Sequence, residues 1–223
     1  MARTLEGGRK ASKSGEVSSV VVFLHGYGAD GSDLLGLADP LADHLPDTVF
    51  YAPNAPERCI GNPMGYQWFP IPWIDGSSEE EAETGMLAAV DDLNGYLDGV
   101  MVDEDVLPEQ VVVLGFSQGT MMALHVLPRR EDPVAGIVGI SGRLLRPELL
   151  ADEALCKPPV LLIHGDQDEV VPPISMPEAG DALQAAGFEV FGHVMEGTGH
   201  GIAPDGLGVA LSFIGKQFNI DLG

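Results

Sequence analysis

Ser117 stands in Gly115-Phe116-Ser117-Gln118-Gly119, and its surroundings give the hydroxyl a chemical use. The Val-rich run at 111–114 reads as a buried strand, and the Met- and Ala-rich run at 118–127 reads as a helix. A serine on the sharp turn between them is pushed out past the carboxyl edge of a sheet. Glycines two residues to either side let strand and helix approach. The N–H of Gln118, at the start of the helix, then faces any oxyanion formed at an acyl carbon. Such a hydroxyl is a weak nucleophile until an imidazole takes its proton and a carboxylate fixes that imidazole.

Two downstream loops carry suitable partners. An apolar strand at 159–163 runs into His164-Gly165-Asp166-Gln167-Asp168, and a strand at 188–194 precedes Glu196-Gly197-Thr198-Gly199-His200-Gly201. Asp168 and His200 therefore follow Ser117 in the order serine, acid, histidine, each on a loop after a strand. Asp166 competes for the acid's place; Asp168 is preferred, and Asp166 is read as tying down the loop through local side-chain bonds. Among the other histidines, His164 ends a strand, His193 lies within one, and His44 and His125 fall on helices. Only His200, flanked by glycines after a strand, sits in a loop able to reach over Ser117. Upstream, the strand at 20–24 enters His25-Gly26-Tyr27-Gly28; Tyr27 N–H is the expected second oxyanion donor, its side chain bordering the pocket, and His25 is read as holding the loop. No phosphate-binding glycine pattern, H-E-x-x-H sequence or Cys/His cluster is present, so neither a metal nor a cofactor is expected.

The elements that must position these groups alternate. Strands are expected at 20–24, 48–52, 111–114, 135–140, 159–163 and 188–194. Helices are expected at 32–45 (kinked or restarted at Pro40), from Ser78 onward, at 176–186 and at 205–218. Ser78 reads as an N-cap, which makes Glu79-Glu80-Glu81 a dipole-favoured first turn rather than a metal site. This alternation predicts an α/β fold: one domain over 1–223 with a mostly parallel central sheet and helices on both faces. Residues 1–19 are expected as a weakly ordered tail or an edge hairpin.

Between the second strand and Ser78 lies a long loop, 53–77, rich in Pro, Gly and aromatic residues. So many large apolar groups need a surface to cover, so the loop is read as a cap that also walls a substrate pocket. Pocket candidates are Tyr27, Met64, Trp68, Phe69, Trp73, Ser141 and Val170. Ser141 also ends a strand, but Arg143 replaces the glycine an elbow requires, so it is read as a turn or rim residue.

Charge narrows the partners. Eleven basic residues against 34 acidic ones give a formal charge of −23, a field that repels nucleic acid and anionic membranes. Cys59 and Cys156 are too few for a disulfide framework, and no segment has the order of a secretory signal. The longest uncharged run, 110–128, is interrupted by Gly, Ser, Gln, Thr and His and reads as core. The expectation is a cytoplasmic protein acting on a small-molecule ester, with no nucleic acid partner and no stable membrane insertion; a homodimer stays open.

Taken together, FLHGYGADGSDL, LGFSQG, IHGDQDEVVP and GTGHGI resemble the carboxylesterase/lysophospholipase/acyl-protein thioesterase family of α/β-hydrolases, from about residue 20 to the C-terminus. The resemblance implies a cofactor-free serine esterase of the α/β-hydrolase fold with a minimal lid. It implies Ser117 as nucleophile, Asp168 as acid, His200 as base, and Tyr27 and Gln118 N–H as the oxyanion hole. Glu169 departs from the proline that many relatives carry after the acid, and WFPIPWI looks more like the bacterial carboxylesterase members. The expected substrates are small to medium acyl or aryl esters. The alternatives are a long-acyl lysophospholipase or thioesterase and, remotely, a non-catalytic binding protein of the same fold.

Overall fold

The computed structural model describes residues 2–222. In chain order its elements are β1 (Gly7–Lys10), β2 (Ser19–Leu24), α1 (Gly31–Leu35), α2 (Ala38–Ala42), β3 (Thr48–Pro53), β4 (Glu57–Arg58), β5 (Tyr66–Gln67), α3 (Pro72–Asp75) and α4 (Glu79–Glu104). The second half holds β6 (Val111–Phe116), α5 (Gln118–Val126), β7 (Gly136–Ile140), α6 (Leu150–Glu153), β8 (Val160–Gly165), α7 (Ser175–Ala185), β9 (Val190–Met195) and α8 (Pro204–Gln217).

Seven strands form one sheet in the order β1-β3-β2-β6-β7-β8-β9, and only the β1–β3 pairing is antiparallel. The central strands are apolar throughout because both faces are covered. Alternate side chains divide between two cores: Val20, Val22 and Leu24 join α4, α5 and α7 residues such as Leu93, Met122 and Leu183, while Val21 and Phe23 join Leu34, Leu41 and Phe213 of α1, α2 and α8. The chain leaves β2 toward β3 on one side and later returns to β6 on the other. The crevice past the carboxyl ends of β2 and β6 is thus the point where strand order reverses, the place where open parallel sheets bind ligands.

Three expectations are corrected. The N-terminal segment is not a weakly ordered tail or an edge hairpin but a single edge strand: β1 pairs with β3, and Arg3 ties the chain to the buried carboxylate of Asp92 and to Glu57. Gly7 permits this pairing, since a Cβ there would lie 2.4 Å from Ala52 O. The helix expected at 32–45 is two short helices that part at Gly36-Leu37, not at Pro40. Pro40 sits in the first turn of α2, where its missing N–H costs no hydrogen bond. His44, expected on a helix, comes after α2 in a turn.

By contrast, α4 starts where its cap signal places it. Ser78 Oγ accepts from Glu81 N, and the Glu81 carboxylate accepts from Ser78 N.

Candidate active site

β6 ends at Phe116, and Ser117 takes φ 54° and ψ −115° before α5 begins. A non-glycine residue there stores about 1–3 kcal/mol of backbone strain. The flanking glycines make the turn feasible. A Cβ on Gly119 would lie 1.9 Å from Leu24 O, and one on Gly115 would lie 2.5 Å from the Gly119 backbone. Ser117 N donates to Ile140 O at 2.8 Å, pinning the turn to β7. Thr120 reinforces that seam: its hydroxyl accepts from Ile140 N at 2.9 Å and lies 2.8 Å from both Gly115 O and Ile140 O.

The two downstream loops are stitched to each other. Gln167 N donates to Thr198 O at 2.9 Å, and Gly197 N donates to Asp166 Oδ1 at 2.7 Å. Gly165 allows this contact, since a Cβ there would lie 2.3 Å from Thr198 O. The result sets His200 between Ser117 and Asp168. His200 Nε2 is 3.0 Å from Ser117 Oγ, and His200 Nδ1 is 2.7 Å from Asp168 Oδ2. Asp168 Oδ1 accepts from Val170 N and Val171 N, both at 2.9 Å. Burial by itself would raise the Asp168 carboxyl, but the bonds from His200, Val171 and Val170 outweigh it and hold the group below the usual carboxylate range. The Phe116 ring rests against His200, with centroids 4.9 Å apart.

On the β2 side, His25 Nδ1 donates to Gly26 O at 2.7 Å and its Nε2 accepts from Ala55 N at 2.9 Å. Burial lowers its pKa, in keeping with a neutral ring. The peptide N–H of Tyr27 lies between these anchors and Gly28 N, which donates to Tyr66 O. The N–H of Gln118 opens α5, among the donors no intrahelical carbonyl can reach. The Gln118 side chain has a role the sequence does not advertise: its Oε1 accepts from Trp68 N at 2.9 Å and its Nε2 donates to Phe69 O at 2.8 Å. One residue thus presents a backbone donor and clamps the 53–77 loop.

A cleft of about 230 Å³ opens between that loop and the segment after β7, lined by Phe69, Ile71, Trp73, Met86 and Leu145 and spanned by the Arg146–Glu83 ion pair at 2.5 Å. Ser117 and His200 do not line this cleft, but residues that precede its two walls pack at the serine turn. Phe69 is held by Gln118, and a Cβ on Gly142 would lie 2.9 Å from Ser117 O. Among the pocket candidates, Phe69 and Trp73 line this cleft. Trp68 does not: it is fully buried, and its Nε1 donates to His25 O at 3.0 Å, so it is core that supports the loop. Ser141 is likewise fully enclosed rather than on a rim. Met64 and Val170 are exposed outside the lining, and the Tyr27 hydroxyl is engaged with Asp75 at 3.0 Å.

A mostly parallel sheet with a strained serine turn at its switch point is the α/β-hydrolase architecture, and this chain is a serine hydrolase of that fold. More narrowly, it belongs to the phospholipase/carboxylesterase family, whose model matches residues 9–218. It is similar to the crystal structure of esterase PE8, with 41% identity and a TM-score of 0.90 over 96% of this chain and 99% of that one. It is also similar to acyl-protein thioesterase 1 of Saccharomyces cerevisiae, 30% identical over 96% of this chain and all of the yeast protein. The Bacillus cereus carboxylesterase, 20% identical, shares the fold with a TM-score of 0.75 over 96% of this chain and 94% of that one. Among the described residues, no helix is long and apolar enough to cross a membrane.

Proposed function

We propose that this chain is a serine carboxylesterase for small to medium acyl or aryl esters, with Ser117 as nucleophile, His200 as general base and then acid, and Asp168 as the carboxylate that orients His200. The observation that carries the reading is the unbroken relay from Ser117 Oγ through His200 Nε2 and Nδ1 to Asp168 Oδ2, at 3.0 and 2.7 Å. Ser117 Oγ attacks the acyl carbonyl as its proton passes to His200 Nε2. The N–H groups of Tyr27 and Gln118 hold the oxyanion. Collapse of the tetrahedral adduct expels the alcohol, which takes the proton from His200. Water then repeats the sequence on the acyl-enzyme, releasing acid and free Ser117.

Support for the substrate class comes from the cleft. Its walls are mostly apolar, with Glu79 and the Arg146–Glu83 pair as the charged exceptions, and about 230 Å³ is below the roughly 300–1,000 Å³ of pockets that take drug-sized ligands. A long-acyl thioesterase is the second reading, favoured by the full-length match to the yeast thioesterase. Hydrolysis of p-nitrophenyl esters from acetate to palmitate, by wild type and Ser117→Ala, tests both. Wild-type turnover peaking at short to medium chains and abolished in the variant supports the first reading; an optimum at palmitate supports the second. Equal rates in the two proteins would end the nucleophile assignment.

A further inference from the structure

The acid loop contains a contact that a three-residue relay does not require. His164, near the end of β8, is buried at 2% exposure, and its Nε2 lies 2.9 Å from Val171 O and 3.2 Å from Asp168 Oδ2. That carboxylate oxygen is the one His200 Nδ1 meets at 2.7 Å. Both neighbours of His164 Nε2 are oxygens with no hydrogen to donate, so Nε2 carries one. The ring N–H is bonded to Val171 O; the carboxylate oxygen 3.2 Å from the same nitrogen is a close electrostatic neighbour rather than a second hydrogen-bond acceptor, and it sets this histidine apart from a core residue. It touches the loop at two places, the carboxylate at 168 and the carbonyl at 171.

Other charged groups near the carboxylate are accounted for. His200 approaches from the loop after β9, Asp166 is turned to Gly197 N, and Glu169 lies at the surface. No lysine or arginine forms an ion pair with Asp168 among the described residues; the groups close to its carboxylate are the imidazoles of His164 and His200.

We infer that His164 is a positioning residue for the acid: its Nε2–H, bonded to Val171 O, braces the loop that carries Asp168, and the positive edge of its ring, 3.2 Å from Asp168 Oδ2, moderates how strongly Asp168 stabilises the charge that develops on His200. The inference rests on the triad reading above. Losing the His164 ring has two effects. The loop loses its bond at Val171 O, so the carboxylate, still held at Oδ1 by Val170 N and Val171 N, shifts relative to His200, which slows the chemical step without changing substrate contacts. Its charge is also less dispersed, so it holds a protonated His200 more firmly, and the acid limb of the pH–rate profile moves to higher pH.

The test compares His164→Leu, which removes the donor, with His164→Gln, whose amide N–H can reach a position near Nε2, using p-nitrophenyl butyrate. His164→Leu is expected to lower kcat about 10- to 100-fold, the usual cost of losing a group that orients an active-site residue, with KM within twofold. Its acid-limb midpoint rises by several tenths of a pH unit. His164→Gln returns both kcat and midpoint most of the way to wild type. The inference fails if His164→Leu keeps wild-type kcat and midpoint, or if both variants lose kcat equally with the midpoint unmoved, which is the mark of lost packing alone. Should His164→Leu not fold, His164→Asn, whose shorter amide falls short of both oxygens, takes its place in the comparison. Asp168→Ala is assayed alongside. Full activity in Asp168→Ala overturns the triad reading, whereas an inactive Asp168→Ala beside an unaffected His164→Leu overturns this inference only.

Discussion

Ser117 and Ser141 end adjacent parallel strands in almost the same way. Each has positive φ, 54° and 50°, and each donates its N–H to the terminal carbonyl region of the next strand, Ser117 to Ile140 O and Ser141 to Ile163 O. Yet Ser117 Oγ meets His200, while Ser141 Oγ is buried with no hydrogen-bond partner among the described residues. The difference lies in the path of the chain beyond each serine. After Ser117 the chain turns into α5, and Gly119 allows that helix to lie against Leu24. After Ser141 the chain folds down onto Thr120, with room only for Gly142, and the serine is sealed beneath it. A strained serine at a strand end is thus something this sheet makes twice. Access for an imidazole exists at one of the two.

The comparison breaks most visibly at the nucleophile. Ser117→Ala is expected to reduce kcat by about 10⁴- to 10⁶-fold, measured on the preferred p-nitrophenyl ester. Next comes the pair of carboxylates on the acid loop. Asp168→Ala costs about 10³- to 10⁴-fold in kcat, while Asp166→Ala, which loses only the bond to Gly197 N, costs less than about tenfold. The reverse ranking would exchange their roles. Filling the cleft with Met86→Trp is expected to leave acetate hydrolysis within about threefold and to cut the longest accepted ester about tenfold or more, through lost volume at a wall residue.

A smaller effect concerns pH. Because Asp168 is held below the usual carboxylate range, it stays ionised as pH falls through neutrality and adds no protonation of its own to the relay there. The plot of log kcat/KM against pH should therefore fall with slope one, not two, down to about pH 4. Smallest of all is Ser141→Ala. Removing a buried hydroxyl that has no partner among the described residues is expected to change kcat less than about threefold and to leave the thermal midpoint unchanged or slightly raised.

Much of the site was legible from local pattern. The Gly-x-Ser-x-Gly turn and the Ser78 cap depend on residues close in sequence, where steric and hydrogen-bonding rules act over a few positions, and the order Ser117, Asp168, His200 is read directly along the chain. The loop at 53–77 was less so. Its apolar residues announced that something is covered but not which side each ring faces, and Trp68 proved to be core where Trp73 lines the cleft. Nothing local distinguishes them, because each assignment depends on a partner from another element: His25 O for Trp68, and the Leu145–Arg146 segment opposite Trp73.

Short stretches of chain were therefore enough for the alternation of buried strands and helices, the strained serine between two glycines, and the chemical types available after the strands. Hydrophobic period and backbone sterics are properties of such segments, and they survive without knowledge of the fold. It took the assembled molecule to settle that β1 pairs with β3, that Gln118 clamps the cleft wall, and that His164 Nε2 lies 3.2 Å from the Asp168 oxygen that His200 meets. Those facts are distances between residues far apart or on opposite sides of a turn. A hydrogen bond is made or lost within a few tenths of an ångström, a precision set by how the whole sheet packs rather than by any stretch of chain.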